Sequence, residues 1–82
     1  MRRIAAGEGE ALAELYDLQA PVVLGLLARL LGRRSDAEEI LQEVFLHVWT
    51  QAALYDPKSA TPRGWILTIA RARALDRVRR RR

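Results

Sequence analysis

Seven arginines stand among the last twelve residues of this 82-residue sequence, Arg71, Arg73, Arg77 and Arg79 to Arg82, with no lysine between them. Arginine forks bidentately onto phosphate and stacks on flat rings, so this density points to a polyanion, with nucleic acid first in line. A basic helix can also lie on an anionic membrane, but that use needs a bulky apolar face, and here only Leu75 and Val78 are on offer. A solubilising tail is the plainer alternative, and it stays open. The second charged group, Asp36, Glu38, Glu39 and Glu43, is either the solvated start of a helix or an acidic face for a basic partner. Two rings, Tyr55 and Trp65, bracket the run YDPKSATPRGW. Beside a cationic groove such rings stack unpaired bases; at helix boundaries they equally plug a core.

Enzyme chemistry has little to work with. There is one histidine, His47, no cysteine and no Gly-rich phosphate loop. The acidic group lacks the Asp/Asn-Gly spacing of a calcium loop, and a lone imidazole reads as a surface residue. The sequence therefore calls for no catalytic activity, no metal and no cofactor.

Charge is unevenly spread. From Thr61 onward eight arginines face only Asp76, a balance of +7, whereas Met1 to Ala60 carries −3, for the overall +4. With 50% apolar residues the chain has material for one modest core, and its length suits a single domain over 1–82. The uncharged run Leu18 to Ala28 is shorter than the ~20 residues a bilayer span needs. Met-Arg-Arg leads into Ile-Ala-Ala, Glu8 and Glu10 rather than an apolar signal segment. The expectation is a cytoplasmic protein with no membrane partner.

Three helices must position these groups. The first spans about 10–31, with apolar residues at Leu12, Leu15, Tyr16, Val22, Val23, Leu26, Leu27, Leu30 and Leu31 in the i, i+3, i+4, i+7 pattern. Pro21 falls inside it, either kinking the helix or opening a fourth, and the unbroken apolar phase favours the kink. Gly32 is a stop signal. The second spans about 36–54: Ser35 and Glu38 have the spacing of a capping box, followed by Ala37, Ile40, Leu41, Val44, Phe45, Val48, Trp49 and Ala52 on one stripe. Its polar face holds Glu39, Gln42, Glu43 and His47, together with Leu46, either an incidental exposed leucine or an anchor for a partner. The third spans about 62–80, with Thr61 as N-cap and Pro62 in the first turn. Its apolar stripe, through Trp65, Ile66, Ile69, Ala70 and Ala74, thins as the arginines begin. The fold class is all-α, a compact bundle of three to four helices.

The blocks AEEILQEVFLHVW, YDP, and WILTIAR followed by ALDR, in this order and spacing, resemble the second conserved region of bacterial RNA polymerase sigma factors of the extracytoplasmic-function group. The likeness runs from about Glu10 to Arg82. It implies a transcription initiation factor domain with two surfaces. One docks on the clamp helices of the core polymerase β′ subunit, which by position is Glu39, Gln42, Glu43 and Leu46. The other recognises the non-template strand of the promoter minus-ten element and helps melt it, which by position is Tyr55, Arg63, Trp65, Thr68, Arg71, Ala72, Arg73 and Arg77. Ala72 departs from the pattern, since many relatives carry asparagine there, whose amide reads a flipped base. The resemblance further implies an anti-sigma factor as a candidate partner, and a second helical DNA-binding domain that this sequence does not contain. A generic basic DNA-binding or protein-interaction module is the competing reading.

Overall fold

Apolar spacing decides where the chain coils. The computed structural model describes residues 1–81, so Arg82, counted above with the terminal arginines, lies outside the described residues. Four helices follow in order: α1 (Arg2–Ala5), α2 (Gly9–Leu31), α3 (Arg34–Gln51) and α4 (Pro62–Arg80), with a single 3-10 turn, Ala52–Leu54, after α3. No strand occurs among the described residues. The all-α bundle expected from the sequence is what forms.

The core is where three stripes meet. Val23, Leu27 and Leu31 of α2, Ala37, Ile40, Leu41, Val44, Phe45 and Val48 of α3, and Ile66, Ala70 and Ala74 of α4 form one buried cluster. The small residues of α4 let it lie close against its neighbours, and Tyr16 meets Phe45 edge-on at 4.9 Å to lock α2 to α3. Burying an aliphatic side chain of this kind is worth about 1.5–3 kcal/mol, so the cluster dominates the stability of so small a domain. By length and composition alone α2 would qualify as a bilayer span. Its buried side chains pack against α3 and α4 instead, leaving Leu18 and Val22 on the outer face.

Helix boundaries correct the sequence reading in several places. α2 runs unbroken through Pro21, as the apolar phase of the sequence favours, so no further helix starts there. Gly32 does end it, in the left-handed conformation (φ 75°) that glycine adopts without penalty. The capping box does not form: α3 starts at Arg34, preceded by the extended Arg33, with no side-chain cap. Only Gly32 and Arg33 separate α2 from α3, so the chain must re-enter a helix at once and Ser35 falls inside the first turn. Glu38 pairs with Arg34 at 3.3 Å, one turn back. The α-helix also stops at Gln51, and the expected last turn to residue 54 tightens into the 3-10 form. Helix α1 has no counterpart in the sequence reading. It buries Ile4 against Ala11 and Ala52, a small satellite core closed by Met1, Leu12, Leu15 and Trp49.

Candidate functional site

Helix α4 starts as the sequence indicates, and that start sets the site. Thr61 is extended and its hydroxyl accepts from the Gly64 amide at 3.1 Å, with Pro62 in the first turn. The loop before it is tied by Asp56, whose carboxylate accepts from the Lys58 amide and the Ser59 hydroxyl, both at 2.9 Å. Those two bonds hold the Asp56 pKa below its ordinary value, the Lys58 amide first. Tyr55 donates its hydroxyl to the Ala60 carbonyl at 2.6 Å, and its ring stands 5.3 Å from that of Trp65. The loop thus fixes the Tyr55 ring on Trp65.

Trp65 answers both alternatives left by the sequence. It is half-buried, packed against the core, and also lines an open groove of about 560 Å³. The other walls are Thr68, Ile69, Ala72, Arg73, Asp76 and Arg79 of α4, with His47 of α3. The structure therefore brings Trp65, Thr68, Ala72 and Arg73 together, with Tyr55 behind Trp65. Arg63 and Arg71 stand outside this groove. Arg63 donates from Nε to the Gln19 side chain on α2 at 2.8 Å. Arg71 precedes Ala72 by about 100° of helix turn and is exposed.

The two charged groups of the sequence meet across the α3–α4 seam. Arg73 donates to Glu43 at 3.0 Å and reaches His47 Nδ1 at 3.3 Å. Arg77 lies within 3.5 Å of Asp36, Glu39 and Glu43. Arg81 pairs with Asp36 and donates to the Leu31 carbonyl at 3.1 Å. Three arginines on α4 and its end are matched by three carboxylates on α3, so the basic helix is neutralised along this flank. Asp76 pairs with Arg80 at 3.0 Å. Among the described residues, Arg63, Arg71 and Arg79 are the cations of this segment without a carboxylate partner.

The other candidate surface divides along α3. Glu39 and Glu43 turn toward α4, whereas Gln42 and Leu46 border an open groove of about 520 Å³ shared with Leu12, Ala13, Tyr16 and Asp17 of α2 and Phe45 and Trp49 of α3. Leu46 is 62% exposed at its edge. No group of three or more candidate metal ligands occurs among the described residues.

His47 and Arg79 were not among the residues the sequence singled out for this site. His47 lies one helical turn after Glu43, so its proximity to Arg73 follows once the α3–α4 register is known. Arg79 falls two turns beyond Ala72 on the same exposed side.

Comparison with known proteins identifies the family. Residues 15–82 match the family model described as sigma-70 region 2. A protein of Mycobacterium ulcerans (strain Agy99) described as ECF RNA polymerase sigma factor SigK is 46% identical over 79 residues, covering 96% of this chain and 42% of that protein. The proteins of the same description from Mycobacterium sp. (strain KMS) and Mycobacterium bovis (strain BCG / Pasteur 1173P2) are 42% and 40% identical over 79 residues, again 96% of this chain. The chain spans about two fifths of the length of these relatives.

Proposed function

The chain belongs to the sigma-70 region 2 family, and we propose that it acts in transcription initiation by binding core RNA polymerase through α3 and the promoter minus-ten element through α4. The observation that carries this reading is the groove that joins Trp65, Thr68, Ala72 and Arg73 on one exposed face, with the Tyr55 ring tilted against Trp65. An aromatic wall beside guanidinium groups suits an unstacked base and its phosphate. Capture of a base that has left the duplex favours the melted state, since binding shifts the equilibrium toward what it holds. On this reading the strand in the groove is the non-template strand. Arg63 and Arg71, exposed outside the groove, add phosphate attraction.

Polymerase docking is assigned to Gln42 and Leu46, with Glu39 and Glu43 at the margin facing α4. An exposed leucine beside an apolar groove suits a helix of the partner, here the clamp helices of β′. An anti-sigma factor that covers either surface would silence the domain, and the setting for all of this is the bacterial cytoplasm. A chain with this role lies within a longer factor whose further domain reads a second promoter element.

The test is retention of the chain on core RNA polymerase, followed by titration with labelled single strands and the matching duplex across a salt series. Selective binding of the non-template strand in the complex is the expected result. Equal or tighter binding of duplex, with no retention on polymerase, would instead favour a module that coats DNA through its phosphates.

A further inference from the structure

Resting on that reading, we infer that His47 selects the base held in the α4 groove, donating from Nε2 to guanine O6 or thymine O4, the keto oxygens that stand where adenine and cytosine carry an amino group. His47 belongs to α3, outside the run of α4 residues that the family resemblance assigns to DNA, yet it forms one wall of the groove beside Trp65, with ring centroids 6.4 Å apart. The groove, about 560 Å³, is in the size range of sites that accept small ring systems, about 300–1,000 Å³.

The remaining walls say little about base identity. Ala72 offers no polar side-chain atom, and Trp65 and Ile69 offer surface to stack on. Thr68 spends its proton on the Gly64 carbonyl at 2.9 Å. Asp76 is held by Arg80. Toward α3 the polar groups are His47 of α3 and Arg73 of α4, and Arg79, the other cation of the groove, likewise has donors and no acceptor. A guanidinium has donors and no acceptor, so in its 3.3 Å contact with His47 the Nδ1 atom accepts. The neutral imidazole then carries its proton on Nε2, and the tautomer is set by Arg73. Arg73 is itself held by Glu43 at 3.0 Å. The chain Glu43–Arg73–His47 therefore presents donors to the groove, and donors discriminate for keto edges against amino edges. This arrangement replaces the amide that Ala72 lacks with a side chain from the neighbouring helix.

A pool of short single-stranded DNA with randomised central positions, captured on the chain in complex with core RNA polymerase and sequenced, tests the assignment. Wild type should enrich guanine or thymine over adenine and cytosine at one position by about three- to ten-fold, the value of one net hydrogen bond. His47→Ala should flatten the preference at that position alone and leave the others intact. His47→Gln, which can accept from Arg73 through its amide oxygen and donate through its amide nitrogen, should restore much of it. Thermal unfolding of each variant by circular dichroism separates loss of selection from loss of fold. A profile unchanged in His47→Ala, a uniform loss at all positions, or amino-base enrichment by wild type would each overturn the assignment while leaving the proposed function standing. Failure of wild type to retain any strand on polymerase would instead remove the function on which it rests.

Discussion

Glu43→Gln removes one charge from the centre of the α3–α4 seam while keeping the side chain's size and one hydrogen-bond acceptor. Glu43 lies 3.0 Å from Arg73 and 3.5 Å from Arg77, and all three side chains are partly exposed. Pairs in such surroundings are worth about 0.2–1 kcal/mol each, so losing the ionic part of both should cost about 0.5–1.5 kcal/mol. In a domain of this length that lowers the melting temperature by about 2–12 °C. DNA binding should move the opposite way. Carboxylates of the seam compete with phosphate for the same guanidinium groups, and removing one leaves Arg73 and Arg77 less satisfied within the fold. If one of them gains a phosphate, the dependence of log affinity on log salt for a single strand steepens by about 0.7. The assay is fluorescence anisotropy on a labelled single strand, without polymerase, from low to moderate potassium chloride. Polymerase is left out because Glu43 also borders the proposed docking surface. An unchanged slope together with unchanged affinity would refute the idea that the seam holds these arginines back from DNA.

Four further outcomes follow from the same geometry. Leu46→Asp should weaken retention on core polymerase while changing stability by no more than about 0.5 kcal/mol, because the side chain is exposed; co-elution and a urea melt measure the two separately. Thr61→Ala should cost about 1 kcal/mol by denaturant unfolding, and Thr61→Ser much less, since the hydroxyl that caps the Gly64 amide is the operative group. Ile66→Ala, at a fully buried position in the second turn of α4, should cost about 2–5 kcal/mol, read as a fall in the urea midpoint. The Asp56 pKa is lowered in the folded chain, so its contribution to loop order is complete above the unfolded carboxylate value, about 3.9, and is lost as pH falls through the lower folded value. Trp65 fluorescence, sensitive to Tyr55 beside it, should report that acid transition in wild type and not in Asp56→Ala.

Much of the bundle was legible because burial in a helix writes a 3.6-residue period into the sequence. The α3 stripe from Ala37 to Val48 is the plainest case, and every position read as core there is buried. Thr61-Pro62 was equally readable, because a cap needs only neighbours in sequence. Where the outcome depended on neighbours in space, sequence patterns misled or stayed silent. Ser35 and Glu38 have the spacing of a capping box, but the two-residue turn after α2 places Ser35 within the helix. Helix α1, four residues long, is too short to display a period and is held by burial of Ile4 against Ala11 and Ala52.

The charge pattern shows the same limit with more consequence for function. A count along the chain separates an acidic α3 from a basic α4 and suggests two independent surfaces. Packing places Asp36, Glu39 and Glu43 against Arg73, Arg77 and Arg81, so much of each charge is spent on the other. What remains exposed is of different character on each side: Gln42 and Leu46 at an apolar groove, and Arg79 at a groove walled by Trp65 and His47, with Arg63 and Arg71 exposed outside it. A partner that engages Glu39 or Glu43 therefore acts on the same carboxylates that hold Arg73 and Arg77, and a strand that draws those arginines away frees the carboxylates. On the proposed assignment, binding on one surface and binding on the other would thereby be linked through shared ion pairs, and linkage of that kind is reciprocal. A double-mutant cycle between Glu43→Gln and Arg73→Gln, read on polymerase affinity with and without the strand, measures the link; strict additivity in both conditions would show the two surfaces to be independent.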